Sequence, residues 1–357
     1  MPKILIARIG AMGDILHALP AVTAIREALP EAMIGWLVEE RWSPLLTARG
    51  PKGEALSPQK PVVNLIHTVN TQRWRERIAR PSTLAELRGA LRRVREVRYD
   101  VALDFQGAIK SALLASLSGV SFIAGFADPR ESAARIFYRS SHRFPRLGEH
   151  VIEQNHSLAE QALKPYLGNR KLKLPSPCLP YSSAEEAWAQ AEIQRLGVAS
   201  FALVTPAAGW GAKQWPAERF GTVAQALAKH NLETLVNVAP GEEHLGQAVV
   251  HASCGHAFAI NCTLGQLLAL TRRARIFIGG DTGPLHLAAA LGIPTVALFG
   301  PTDPVRTGPF SAQAITLRHP ASKTTWSHHR APDEGMLQMS ADEVIGAARH
   351  LLGGGRG

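Results

Sequence analysis

Residues 275–304 leave the chain few ways to fold. Ile276-Phe277-Ile278 is a short apolar run that reads as a buried strand, and Gly279-Gly280-Asp281-Thr282-Gly283 reads as a turn. Pro284 stands where a helix begins, because the N–H it lacks would be unpaired there anyway. Leu285, His286, Ala289 and Leu291 carry a short helix that Gly292 ends, and Thr295-Val296-Ala297-Leu298-Phe299 is a second apolar strand. This strand–turn–helix–strand order is a βαβ unit with a Gly-rich turn at the carboxyl end of its first strand. Open α/β sheets bind ligands at that edge. The N–H groups around Gly283 and the positive end of the helix dipole favour a phosphate there. His286, one turn into the helix, points back toward the turn and could donate to a phosphate or sugar oxygen. Asp281 or Thr282 also fits a plain helix cap, and pattern alone leaves both readings open.

The same pattern starts the chain. Residues 3–9 form a strand, Gly10-Ala11-Met12-Gly13-Asp14 a Gly-rich turn, and 15–29 a helix bent near Pro20. Asp14 therefore falls at a helix N-terminus on the ligand edge of the first strand. Only Gly-x-x-Gly is present, so a dinucleotide fingerprint is absent. Further strands are expected at 32–38, 62–69, 101–105, 201–205, 234–238 and 315–318, with a Pro-, Gly- and Lys-rich loop at 51–61. Helices are expected at 217–229, 263–272 and 340–352. Three prolines between Lys171 and Tyr181 read as a linker. The 357 residues thus divide into two doubly wound α/β domains, 1–170 and 186–338, joined by 171–185 and followed by a terminal helical segment, 339–357. A ligand is expected in the cleft between the two domains.

Charge narrows the partners. Lys and Arg exceed Asp and Glu by 10, and the pI is near 9.9, which favours nucleic acid, anionic membrane or a phosphorylated substrate. Nucleic acid is the weakest of these, since aromatic residues are only 6% and no recognition module is present. Arg73, Arg75 and Arg77 surround Trp74 and are candidates for gripping an anion. Thr83-Leu-Ala-Glu86 looks like a capping box, opening a helix with Leu84, Leu87, Leu91, Val94 and Val97 on one side. Arg88, Arg92 and Arg95 lie on its other side, as a solvated face or one that meets anionic lipid. A second basic cluster includes Arg130, Arg135, Arg139, His142, Arg143, Arg146 and His150. Arg8 and Asp14 interrupt the N-terminal apolar run, which excludes a secretion signal. Three cysteines without metal-ligand spacing suit a reducing compartment, so the expected location is cytoplasmic.

Four ordered stretches carry a resemblance. Met12-Gly13-Asp14-Ile-Leu-His-Ala-Leu-Pro-Ala, Lys213-Gln-Trp-Pro, Gly280-Asp281-Thr282-Gly283-Pro-Leu-His286 and Gly300-Pro-Thr-Asp-Pro resemble the heptosyltransferases of lipopolysaccharide inner-core synthesis, glycosyltransferase family 9. Trp36-Leu-Val-Glu-Glu40 and His17-Ala-Leu-Pro20 are more similar to the first enzyme of that pathway than to the second, which remains the alternative.

The resemblance implies a GT-B fold, two facing Rossmann-like domains with the terminal helix returning to the first. It implies inverting transfer of L-glycero-D-manno-heptose from ADP-heptose to a Kdo (3-deoxy-manno-octulosonic acid) residue of Kdo-lipid A. No metal and no cofactor beyond this donor substrate is implied. It places such a protein on the cytoplasmic face of the inner membrane, against its anionic surface. By the same resemblance Asp14 matches the base, and Lys213 with the Thr282 and Gly283 amides the phosphate contacts. Glu243 matches the ribose ligand, with neighbouring Glu242 as the alternative, Asp281 the heptose ligand, His286 a phosphate or sugar donor, and Cys262 the position beside adenine. Lys213 also fits an ordinary surface lysine and Cys262 a buried structural thiol. Ala208-Gly209 depart from the pattern, since relatives often carry hydroxyl residues there, and backbone amides would have to substitute. Arg73, Arg77, Arg130 and His150 are the acceptor-side candidates, because arginine pairs with carboxylate and phosphate through its planar fork.

Overall fold

Apolar runs of four to seven residues, buried on both faces, organise the chain into two parallel sheets. The structure is a computed structural model and describes residues 1–47, 62–77, 80–143, 150–325 and 331–353. The loop read at 51–61 and Arg146 lie outside the described residues. The chain divides into two units, Met1–Pro180 and Tyr181–Gly357.

The first unit holds strands β1 (Lys3–Ala7), β2 (Met33–Glu39), β3 (Leu65–Val69), β4 (Val101–Asp104), β5 (Ile123–Phe126) and β6 (Ser140–His142). Its helices are α1 (Met12–Ala28), α2 (Thr71–Glu76), α3 (Pro81–Val97), α4 (Ile109–Leu117), α5 (Val151–Ala162) and α6 (Lys164–Leu167). The strands are parallel in the order β3-β2-β1-β4-β5-β6. Leu5, Leu37 and Ala102 of the sheet meet Val94 of α3 and Leu114 of α4 in one core.

The second unit holds α7 (Ser183–Arg195), β7 (Phe201–Thr205), α8 (Ala217–Ala228), β8 (Glu233–Asn237), α9 (Glu243–Ala252), β9 (Ala257–Ile260) and α10 (Leu264–Arg273). It continues with β10 (Ile276–Gly280), α11 (Gly283–Ala290), β11 (Thr295–Phe299), α12 (Pro304–Thr307), β12 (Ala314–Arg318), α13 (Glu334–Gln338) and α14 (Ala341–Gly353). Its order is β12-β11-β10-β7-β8-β9, again parallel. Counted from its own first strand, this is the same order as in the first unit. In each sheet the winding reverses between the first and fourth strands, β1 and β4 in one, β7 and β10 in the other. In open α/β sheets ligands bind at such a switch point, outside the carboxyl ends of the strands.

Several expectations need correction. The terminal helix packs within the second unit. Val344, Ile345, Ala347 and Ala348 of α14 are buried in the second unit's core, where the helix packs on α8 and on β10, β11 and β12. Helix α3 begins at Pro81 with Arg80 as its cap, so Thr83 lies inside the first turn and opens no capping box. Residues 181–185 belong to the second unit, because Ser182 caps α7, which packs on α10. Strands β5, β6 and β9 have only three or four residues. Runs that short carry little periodic signal.

Candidate active site

In the second unit the switch point lies between β7 and β10. The loop after β7 ends in a tight turn, Gly211–Lys213, and the loop after β10 carries Asp281. The Lys213 carbonyl lies against Gly280, where a Cβ would come within 3.0 Å of it. Glycine at that position lets the two loops touch. Lys213 Nζ then donates to Asp281 Oδ2 at 2.6 Å and to the Asp281 carbonyl at 3.3 Å, and stands 5.1 Å from the Trp210 ring centre. His286 Nε2 lies 3.0 Å from Asp281 Oδ1. Burial by itself would raise the Asp281 pKa, but His286 and Lys213 outweigh it and hold the carboxyl well below the usual carboxylate range.

Three residues assigned from two separate motifs thus form one cluster. Its geometry rules out the plain-cap reading of the turn. The Asp281 carboxylate is turned to Lys213 and His286, and Thr282, at the cap position of α11, makes no side-chain cap bond. Both Asp281 oxygens are engaged and its side chain is only 6% exposed, so it anchors the two cationic or donor groups beside it. A carboxylate offers about four acceptor sites, which leaves some for a sugar hydroxyl.

The other donor-side candidates sit on the same carboxyl edge. Ala208 is half-buried and Gly209 exposed after β7. A Cβ on Gly209 would meet nothing within 4 Å, so packing does not require glycine there. Glu243 is exposed in the first turn of α9, with Oε1 accepting from the Gly241 amide at 3.0 Å. Its own amide and that of Gly241 lower its pKa. Glu242 is tied to the Ala239 amide at 3.2 Å. Cys262, half-buried after β9, donates to Asn237 Oδ1 at 3.3 Å, and burial pushes its thiol up to about 12. Its contact to Asn237 ties the segment after β9 to the end of β8.

The first unit's switch point, between β1 and β4, holds a second ion pair. Asp14 is the third residue of α1; Oδ2 accepts from the Ala11 amide at 3.1 Å and Oδ1 from Arg8 Nη2 at 2.7 Å. Arg8 follows β1 with its side chain only 9% exposed, and its Nη1 donates to the Phe105 carbonyl just beyond β4. Gln106 Oε1 accepts from the Ile9 amide at 2.8 Å, closing the same two loops together. The sequence reading treats Arg8 only as an interruption of an apolar run. A charged residue closing a buried strand just before a Gly-rich turn is the signal that identifies it. Asp104 carries the same signal at the end of β4. It is fully buried and bonded to Tyr138 Oη at 2.7 Å, Ser111 Oγ at 2.9 Å and the Gln106 amide at 2.9 Å. Burial raises its pKa against those bonds.

The acceptor-side candidates separate. Arg73 lies in α2 and Arg77 ends it, both exposed beyond the carboxyl end of β3. Glu39 accepts from the Thr71 amide at 2.9 Å and so fixes where α2 starts. Arg130 is exposed beside the β4–α4 turn. Gly107 there has φ +64°, and a Cβ would meet the Arg130 amide at 3.0 Å. Arg73 and Arg77 follow β3 and Arg130 stands beside the turn after β4, on the carboxyl side of the sheet. His150 is different. It is buried, its Nδ1 accepts from the Ile152 amide at 3.2 Å as the cap of α5, and its ring packs edge-on to His17 of α1 at 5.6 Å. It holds α5 to α1. Among the described residues no group of three or more His, Cys, Asp or Glu could hold a metal ion, and no helix is long and apolar enough to cross a membrane.

Comparison with known proteins assigns the chain. The profile for Glycosyltransferase family 9 (heptosyltransferase) matches residues 88–334. A lipopolysaccharide heptosyltransferase 1 from Pseudomonas aeruginosa is 28% identical over 318 residues, 88% of this chain and 83% of that protein. The solved structure of the E. coli heptosyltransferase WaaC with ADP superposes with a TM-score of 0.76 at 24% identity, covering 98% of this chain and 99% of that one. The same enzyme with ADP-2-deoxy-2-fluoro heptose gives a TM-score of 0.73 at 24% identity, with coverage of 98% and 99%. These likenesses show the fold, GT-B, as the sequence led us to expect. The profile spans most of the chain, including β7, β10 and the cluster between them: the chain belongs to glycosyltransferase family 9, the heptosyltransferases, and is a glycosyltransferase.

Proposed function

We propose that the chain transfers L-glycero-D-manno-heptose from ADP-heptose to a Kdo residue of Kdo-lipid A in lipopolysaccharide core synthesis, inverting the anomeric centre without a metal. The Lys213–Asp281–His286 cluster carries this reading, because it sets a cation and a hydrogen-bond donor at the phosphate-favouring edge of a sheet. The relatives named heptosyltransferase, and the WaaC structures with ADP and a fluorinated ADP-heptose, support the donor.

In the transfer, the acceptor hydroxyl oxygen bonds to the anomeric carbon while the bond from that carbon to the β-phosphate oxygen breaks on the opposite face. Asp14 takes the hydroxyl proton, and its partial exposure supports that role. The departing ADP gains negative charge. Lys213, His286 and the Thr282 and Gly283 amides stabilise that charge most where it is greatest, in the transition state. Glu243 binds the ribose, Cys262 flanks adenine, and the backbone at Ala208 and Gly209 faces the phosphates. Arg73, Arg77 and Arg130 receive the anionic groups of the acceptor, with His150 supporting α1 behind Asp14. We assign the work to the anionic cytoplasmic surface of the inner membrane, where such an acceptor resides.

The deciding experiment offers ADP-heptose with Kdo₂-lipid A or with an already heptosylated acceptor and follows mass. A gain of one heptose on Kdo₂-lipid A alone is the expected result. A gain only on the heptosylated acceptor moves the assignment to the second heptosyltransferase, and no gain on either refutes it.

A further inference from the structure

Helix α4 carries a surface that the transfer chemistry leaves unused. It buries Ser111, Ala112, Leu114 and Ala115 toward its own unit. On the other side Ile109, Leu113 and Leu117 recur every fourth residue, at 41%, 39% and 37% exposure. The outer face of a packed helix is ordinarily polar; here it is a single aliphatic row. The turn Ser132–Phe137 packs against α4 and adds Ile136, which is 78% exposed.

Basic side chains border this row. Lys110 is exposed on α4 itself, and exposed Arg95 donates through Nε to the Leu117 carbonyl at 2.7 Å. Arg135 and Arg139 are exposed on either side of Ile136. Among the acids on these segments, Glu131 accepts from the Ile109 amide at 2.8 Å, so its charge is used at the start of α4, Glu96 beside Arg95 pairs with Arg92, and Asp128 is exposed.

We propose that this face docks on an anionic bilayer, with Ile109, Leu113, Leu117 and Ile136 entering the boundary between head groups and acyl chains while the basic rim meets lipid phosphates. The charge pattern selects this occupant. Two copies meeting through the same patch would bring like-charged rims together, which opposes self-association. Arg130 lies between β5 and the turn Ser132–Phe137, with its amide against Gly107 of the β4–α4 turn, so docking here carries a glycolipid's anionic groups toward the carboxyl edge of the sheet that holds Asp14. The inference rests on the reading that the acceptor is a membrane glycolipid, and it names the surface that reading requires.

The test uses the full chain with phosphatidylcholine vesicles and with vesicles that also contain phosphatidylglycerol. The wild type should co-sediment with the anionic vesicles alone, and less as salt rises. A double variant, Leu113→Gln with Leu117→Gln, should lose about tenfold or more in partitioning, since two apolar contacts with lipid are removed. Arg135→Gln with Arg139→Gln should weaken binding to the anionic vesicles. Leu337→Gln, an exposed leucine of α13, should change nothing. Unchanged melting temperatures establish that the variants fold, and turnover on a water-soluble Kdo acceptor without acyl chains should match the wild type. If the wild type transfers no heptose to that acceptor, the functional reading fails whatever the vesicles show. If transfer occurs but the leucine variant sediments like the wild type, or the wild type ignores anionic vesicles, the docking surface is overturned. A leucine-dependent dimer without vesicle binding overturns it in favour of self-association.

Discussion

The two units share one strand order, and each sets a cation against a carboxylate where that order reverses. Their pairs differ in exposure. Asp14 keeps 38% of its side chain open and is held by Arg8 and one backbone amide. Asp281 keeps 6% and is held by Lys213 and His286. A general base must reach a proton on a substrate, whereas an anchor works best where water does not compete. One topology thus yields a partly exposed carboxylate in the first unit, as the proposed base requires, and a buried, doubly held one in the second, according to how deeply the loop after the strand is packed.

The largest effect that would break this contrast is on turnover. Asp14→Asn should lower kcat by about a hundredfold or more while ADP binding, measured by calorimetry, stays unchanged. Near-normal turnover would remove Asp14 as the base. Arg8→Met should lower kcat in the same direction, and Arg8→Lys should recover part of it. Equal loss in both would mean that charge at this site does not position Asp14.

Lys213→Ala tests the anchor. It leaves the Asp281 carboxylate buried beside His286 alone, which should cost about 3–5 kcal/mol of stability in the second unit and weaken ADP binding as well. A melting curve and an ADP titration together check this. Wild-type values in both would show Lys213 to be an ordinary surface lysine.

Acid separates the units more gently. Burial, and then the Arg93 charge, hold His67 of the first unit down at about 4, against an ordinary value of 6.5. Between those values the unfolded chain takes up a proton that the folded unit refuses. The first unit is therefore at full stability above pH 6.5 and loses at most about 3 kcal/mol as the pH falls toward 4. His67→Gln should flatten that slope in pH-dependent denaturation. Asp281 responds in the same direction but in a lower pH window. Its lowered pKa preserves the second unit's contribution until the pH drops below the ordinary carboxylate range near 4. A slope in the second unit between pH 6.5 and 4 that Asp281→Asn abolishes would contradict this.

The smallest effect concerns the phosphate loop. Gly209→Ser meets open space, so it should fold normally and tighten ADP binding by up to about tenfold through one added hydrogen bond. A weaker titration would show that the bare backbone is needed at that position.

Much of this was legible in the residues themselves. Buried parallel strands are apolar throughout, and Gly-rich turns interrupt them. The two sheets, the turns holding Asp14 and Asp281, and the motif around Lys213 could therefore be read along the chain. Local chemistry determines such features: a Val-Ala-Leu-Phe run has few alternatives to a buried strand, and a Pro after Gly opens a helix. Tertiary structure decided the pairings between distant loops. Lys213 and Asp281 are 68 residues apart, and Arg8 and Phe105 are 97 apart. Only the strand order brings them together, and no local pattern encodes which loops become neighbours. It likewise turned His150 into a buried cap and sent α14 to its own unit's sheet, because the burial of an apolar face depends on which surface is within reach.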